Sequence, residues 1–253
     1  MTDTEQPRQA AAKKTTSLAM VATLGIVAML SGLLVVITWQ LTLEPIQENK
    51  RIMIEKAIFQ VIPDAQYRQT YTLSDNKLIA DEQGDGLPFY AAFDKTGQLK
   101  GIAIASAAQG YAGMVSLLYG YDPQCECIRG FSIIKMAETP GLGDKILTDE
   151  NFLANFNALD AQLNDEKTAL KNPIIPVKHG SKKNAWEVDA ISGATITSKA
   201  VAKAINQSAQ IILPKLQPYI SQLQFVLPEK NLQPVESLQP VESPQLKQKD
   251  NQE

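Results

Sequence analysis

The amino-acid sequence predicts an α+β fold, an antiparallel sheet with flanking helices, preceded by one N-terminal transmembrane helix. Three observations carry that expectation. From Leu18 to Trp39, 22 consecutive positions hold no charged residue. Around Asp94-Lys-Thr-Gly97, the stretch PFYAAFDKTGQLKGIAIAS places two β-prone runs on either side of a turn, and GMVSLLYGYD and CIRGFSIIKM continue the pattern. Behind DAISGATITS, the run KAVAKAINQSAQIILPKL sets Val201, Ala204, Ile205, Ser208 and Ile212 near one helical face, with Lys199, Lys203 and Gln207 elsewhere and Pro214 expected to end or kink the helix.

Taken in chain order, Arg8, Lys13 and Lys14 precede the apolar run, while Glu44, Glu48, Lys50 and Arg51 follow it. A helix of 22 residues spans about 33 Å, the thickness of a bilayer core. The basic residues ahead of it favour a cytoplasmic N-terminus and an exported C-terminal domain. The run exceeds a signal-peptide core and no clear small-x-small site follows, so an uncleaved anchor is expected. Next, Ile52, Ile54, Ala57, Ile58 and Val61 recur at near-helical spacing before Pro63, which predicts a second helix packing on the domain or on a partner. Cys125 and Cys127 fall on one face of a predicted strand, where a bond between them would be strained, so free thiols are expected. At the end, Leu-Gln-Pro-Val-Glu-Ser occurs at 232–237 and again at 238–243, a polar, proline-punctuated tail expected to be disordered.

Composition narrows the function. Lys and Arg number 24 against 27 Asp and Glu, a net charge of -3 that offers nothing to nucleic acid. His179 is the single histidine and the cysteines are two, too few for a zinc cage or an iron–sulfur cluster, so redox chemistry would need an organic cofactor and no metal site is expected. His179 itself lies in the basic stretch KHGSKKN, read as a solvated loop.

Two glycine-bearing motifs remain. In DAISGATITS (189–198), Gly193 lets the chain turn sharply into the helix, and a helix N-terminus attracts an anion. The same hydroxyls are ordinary capping residues, and Ser192, Thr195 or Thr197 would serve equally as one. The Gly-x4-Gly-Lys-Ser/Thr phosphate loop is absent, so nucleotide hydrolysis gains no support. In ETPGLGD (138–144), Pro140, Gly141 and Gly143 suit a tight loop whose amides meet a planar ligand, or a plain turn.

Together ETPGLGDK and, about fifty residues later, DAISGATITS resemble the FMN-binding domain shared by the G subunit of the Rnf electron-transport complex and the C subunit of the sodium-translocating NADH:quinone reductase. The resemblance extends to the anchor, to QGYAG at 109–113 and to LLYGYD at 117–122, and the Rnf protein is the nearer of the two. It implies FMN esterified through its phosphate to a threonine in Asp-x-x-Ser/Thr-Gly-Ala-Thr. Here that motif reads Asp189, Ala190, Ile191, Ser192, Gly193, Ala194, Thr195. Thr195 is the implied attachment residue and Thr197 the second choice. A flavin transferase using FAD would make the bond, with Asp189 and the small residues as part of its recognition signal. Glu138, Thr139, Gly141, Leu142 and Gly143 are expected to form a wall of the isoalloxazine site.

The resemblance further implies an electron carrier with no catalytic residue of its own, held among other redox subunits in the bilayer. Its place is a bacterial inner membrane, crossed once, with the FMN domain on the periplasmic side. The expected organisation is a cytoplasmic segment 1–16, an anchor 17–40, a juxtamembrane helix 44–62, the FMN-binding domain 63–215 and an extension 216–253, disordered from about 229. One departure is that Lys135, Met136 and Ala137 precede the ETPGLG motif where family members often have a histidine. Two other readings stay open: the corresponding component of the quinone reductase, and a non-redox anchored envelope protein that uses SGAT only as a helix cap.

Overall fold

A computed structural model of the chain describes residues 17–74, 77–80 and 86–223. The segment 1–16 and the tail expected to be disordered lie outside the described residues. The anchor and the juxtamembrane helix are one element: α1 runs unbroken from Ser17–Val61, 45 residues and about 68 Å. The break expected between residues 40 and 44 is not there. Pro45 lies inside the helix, where it removes one ladder bond without ending a helix held on both sides. Every side chain from Leu18 to Lys50 is exposed. The hydroxyls in this span turn back on the helix, as Ser31 Oγ does to Val27 O at 2.7 Å and Thr38 Oγ1 to Leu34 O at 2.8 Å. From Leu18 to Trp39 no polar side chain demands water, which is the condition for burial in lipid.

Beyond α1 come β1 (Tyr67–Ser74), β2 (Lys77–Ile79), β3 (Leu87–Phe93), β4 (Leu99–Gln109), β5 (Met114–Asp122), β6 (Cys127–Lys135) and β7 (Leu159–Asp160). They form a sheet in the order β2-β1-β3-β4-β5-β6-β7 with every pair antiparallel. The predicted β3–β4 hairpin is present. Asp94 Oδ1 accepts from Thr96 N at 2.8 Å and Gln98 N at 3.0 Å, and Gly97 takes the left-handed φ of 79° the turn needs. A helix α2 (Glu150–Ala154) and a parallel pair, β8 (Ile175–Val177) with β9 (Glu187–Asp189), lead to α3 (Thr195–Leu216). Pro214 sits in the last turn of α3 and does not end it. The boundary expected at 215/216 therefore falls inside a helix, and Leu216 and Leu223 both belong to the core.

Strand alternation divides the sheet into two faces. Phe89, Ala91, Phe93, Ile102, Ile104, Leu117 and Tyr119 turn toward α3, whose Val201, Ala204, Ile205 and Ile212 complete the main core. Tyr90, Ala92, Ala103 and Leu118 turn the other way, onto Ala57, Ile58, Val61 and Ile62 of the chain leaving the membrane. Thus the membrane helix ends as a structural layer of the domain. Gly120 admits it: a Cβ there would stand 2.6 Å from Val61 O. Direction follows from the contacts. Ile54 and Ile134 pack on the same cluster, Ser132 Oγ donates to Gln60 Oε1 at 2.9 Å, and Val61 reaches Gly120 and Gly130. Lys135 pairs with Ser116, near the start of β5. Hence α1 arrives over the sheet end that carries the β4–β5 turn and stops toward the β5–β6 turn.

The cysteines depart from expectation. Cys125 and Cys127 are joined by a disulfide with Cα atoms 5.1 Å apart. The expectation of free thiols placed both in an extended strand, whereas residues 123–126 form the β5–β6 turn and Glu126 adopts φ 51°, which folds the two side chains together.

Candidate functional site

Three segments meet at the sheet end over which α1 arrives. The first is the β4–β5 turn, closed by Gly110 N donating to Gly113 O at 2.8 Å. The second is the loop after β6, where Leu142 N and Gly143 N both reach Thr139 O at 3.1 Å and Gly141 holds φ 77°. The third is the β9–α3 junction, where Gly193 at φ 83° turns the chain and Ala194 N donates to Ile191 O at 3.2 Å. Positive φ at Gly141 and Gly193 would strain any other residue.

Glu138 ties the three together. It is 9% exposed, its Oε1 accepts from Ala112 N at 3.2 Å and its Oε2 accepts from Thr197 Oγ1 at 2.9 Å. A Cβ on Gly143 would fall 2.6 Å from its Cβ, and one on Gly110 would collide with Oε1, so both glycines are where they are because Glu138 fills the space. The side chain expected in the wall of a cofactor site is spent on protein partners. Thr139, Gly141 and Leu142 are exposed, whereas Gly143 is buried.

The hydroxyls of the junction do not cap α3. Its N-cap position is Ala194, with no side-chain cap bond. Thr195 Oγ1 donates back to Ile191 O at 3.1 Å, Thr197 Oγ1 goes to Glu138, and buried Ser198 Oγ donates to Ala194 O at 2.9 Å while accepting from Ile191 N at 3.1 Å. Side chains in a first turn lean toward the N-terminus, which sends the Thr195 and Ser198 hydroxyls to preceding carbonyls. The capping role open to Ser192, Thr195 or Thr197 is thereby not taken up. The first-turn amides of α3 keep no side-chain acceptor among the described residues, and the helix dipole points at the same place. Ser192 and Gly193 are exposed, Thr195 is half-buried and Thr197 is 2% exposed. Around them Tyr111, Met114, Leu142 and Ile196 stand more than half exposed, an apolar rim contributed by all three segments.

Asp189 belongs to a separate cluster. Its Oδ2 accepts from Gly180 N at 2.9 Å and lies 3.9 Å from His179 Nδ1, and its amide donates to Asn155 Oδ1 at 3.0 Å. Lys182 Nζ donates to the same Asn155 oxygen at 3.1 Å. Burial lowers the Lys182 amine, and the charges of Asp189 and Glu187 act against that shift. Glu187 Oε2 accepts from Lys183 N at 2.6 Å and Asn184 N at 3.0 Å, and these amides hold its carboxyl below the usual range. The KHGSKKN loop, read from sequence as solvated, is exposed at His179 and docks through its backbone on Asp189 and Glu187. Asn155, 5% exposed, was not singled out from sequence; its one signal is a polar side chain inside the apolar run NFLANF.

Comparison with known proteins defines first a class. Residues 110–210, which span the three segments, match the FMN-binding domain family. The chain is 31% identical over 189 residues to the G subunit of the ion-translocating oxidoreductase complex of Shewanella piezotolerans, covering 72% of this chain and 82% of that protein. It is 28% identical over 193 residues to the G subunit of Methanosarcina acetivorans, covering 76% and 93%. The chain belongs to the family of ion-translocating oxidoreductase complex G subunits, as its motifs led one to expect. Its domain shares the fold of the crystal structure of Shewanella oneidensis NqrC, with a TM-score of 0.52 at 18% identity over 69% of this chain and 98% of that one. The expected α+β class is that fold.

Proposed function

We propose that this chain is the membrane-anchored electron carrier of an Rnf-type ion-translocating oxidoreductase, with FMN bound covalently through a phosphoester to Thr195. The observation that carries the reading is the start of α3: uncapped by any side chain, it offers its amides to an anion beside a half-buried threonine. These residues fit a phosphate linked to the Thr195 oxygen. Thr197 fits it poorly, because its hydroxyl is buried and committed to Glu138. FMN supplies reversible electron uptake and release when bound, and the protein positions and tunes it. The first-turn amides would offset the phosphate charge, and the exposed faces of Thr139, Gly141 and Leu142, with the rim of Tyr111 and Ile196, would bound the ring. No side chain here has to move a proton onto a substrate, as suits a carrier between neighbouring redox subunits. A flavin transferase drawing on FAD would install the group, reading Asp189 and the small residues after it.

Placement on the exported side of a bacterial inner membrane, by a single span, is supported by Arg8, Lys13 and Lys14 ahead of α1 and by a disulfide, which persists in oxidising compartments. Peptide mass spectrometry of protein from its native membrane tests the linkage. Wild type and Thr197→Val should carry one FMN on the peptide containing Thr195, and Thr195→Val should carry none. An adduct absent from native wild type would leave the anchored envelope protein as the better account, and co-purification with an FAD-bearing subunit instead of iron–sulfur subunits would move the chain to the quinone reductase.

A further inference from the structure

We propose that the Cys125–Cys127 disulfide is a thiol–disulfide exchange site, operated by a dithiol protein of the exported compartment, that switches how the β5–β6 turn holds the segment 159–167. Several observations lead there. The ring contains only Cys125, Glu126 and Cys127, so the bond restrains almost none of the unfolded chain and is a poor staple. The turn also closes without it. The β5–β6 ladder runs to Asp122 opposite Cys127, Asp122 Oδ1 accepts from Gln124 N at 2.8 Å, and Arg129 reaches Asp122 Oδ2 at 3.1 Å.

What the bond does fix is Glu126, between its two cysteines. This residue is held at φ 51°, an unfavourable conformation for a side chain with a Cβ. In that posture its carbonyl accepts from Ala161 N at 3.0 Å and its carboxylate pairs with Lys167 Nζ at 3.2 Å. Cys127 pairs with Asp160 in the β6–β7 ladder. One small ring therefore sets the contacts of the segment that follows β7.

Access is asymmetric. Cys125 is exposed and Cys127 is 5% exposed. An incoming thiolate would attack Cys125 Sγ, forming a mixed disulfide and releasing Cys127 as a thiolate that takes up a proton. The donor's second thiol, as thiolate, then attacks the mixed disulfide at the donor's sulfur and releases Cys125 as a thiolate, which is protonated in turn. The donor leaves as a disulfide, this chain holds two thiols, and two electrons have passed. The candidate flavin site is not the donor: β5 separates the two ends of the sheet by about 26 Å, from Met114 to Asp122. Exposed disulfides are the labile ones that exchange.

The test uses full-length protein in its native membrane, equilibrated with mixtures of reduced and oxidised dithiothreitol, quenched in acid, differentially alkylated and read by peptide mass spectrometry. The two cysteines should change state together, with the thiol-to-disulfide ratio following the buffer ratio one to one. Glutathione disulfide should modify Cys125 in Cys127→Ser. Hydrogen exchange at Ala161 should accelerate at least fivefold on reduction, and the double variant Cys125→Ser/Cys127→Ser, folded by its melting curve, should show the same rate while its β4 and β5 amides stay protected. Recovery of both thiols free from acid-quenched membranes before any reductant is added would overturn the proposal. So would a bond that resists dithiothreitol until the protein is denatured, or an Ala161 amide indifferent to reduction. None of these readings depends on the flavin.

Discussion

Glu138 accepts hydrogen bonds from Ala112 N and Thr197 Oγ1 while Gly110 and Gly143 pack against its side chain, so four residues from three segments depend on one carboxylate. Glu138→Ala should cost about 1–3 kcal/mol, by leaving the Thr197 hydroxyl and the Ala112 amide without their acceptor. Glu138→Gln should cost less, because its carbonyl oxygen replaces one of the two acceptors. Denaturant midpoints compare the two, and equal costs would remove Glu138 from the centre of the site. At Glu187 the sign with pH is set by its lowered carboxyl. Depression of the folded value means a stabilisation present in full above the ordinary carboxylate range and lost as pH falls through the folded value. Glu187→Gln should therefore melt below wild type at pH 7, with the gap closing below about pH 4. The motif residues were legible because glycine at a positive φ and hydroxyls at a helix start leave a sequence trace. Glu138's bracing was not, since Ala112 and Thr197 lie 26 and 59 residues from it.

Elements were legible where their period was clean. β3 to β6 and α3 show it, and the Asp94-to-Gly97 turn names its own hairpin. The strand β1, YRQTYTLS, mixes polar and apolar positions, and β2 and β7 are three and two residues long, so their pairing rather than their composition makes them strands. The apolar run to Trp39 and the separate apolar period from Ile52 to Val61 suggested two helices where α1 is one, because the local cost of Pro45 is outweighed by ladder bonds on both sides and by the packing of the last turns on the sheet. That packing depends on Gly120. Gly120→Val would drive a side chain into the Val61 carbonyl, and overpacking of this kind costs about 1–3 kcal/mol or expels the helix end. Faster hydrogen exchange at Ala57 and Ile58, with α3 still protected, is the expected signature. Unchanged protection at those two amides would mean that α1 does not rest where the structure puts it.

At the scale of the molecule, the sheet has a helix on each face and two ends of different make-up. The ETPGLG and SGAT motifs share the end over which α1 arrives, and the disulfide occupies the other. Sequence motifs predicted the first grouping through a family resemblance. The second had no such trace, since a Cys-x-Cys spacing in a strand and in a turn reads the same.

A continuous α1 also acts as a shaft. From Trp39, the last residue of the 22-residue apolar stretch, to Ile54, which packs on the domain, lie 15 steps, or about 22 Å of helix. Such a shaft transmits rotation. One alanine inserted after Glu48 would raise the domain by only about 1.5 Å but swing it by about 100° around the membrane normal, turning its exposed rim away from any partner fixed in the bilayer. Seven inserted residues would lift it by about 10 Å yet return it to within about 20° of its original bearing. Electron transfer through the assembled complex should thus fall more for one added residue than distance alone accounts for, and a single-residue insertion with wild-type flux would show that the shaft swivels.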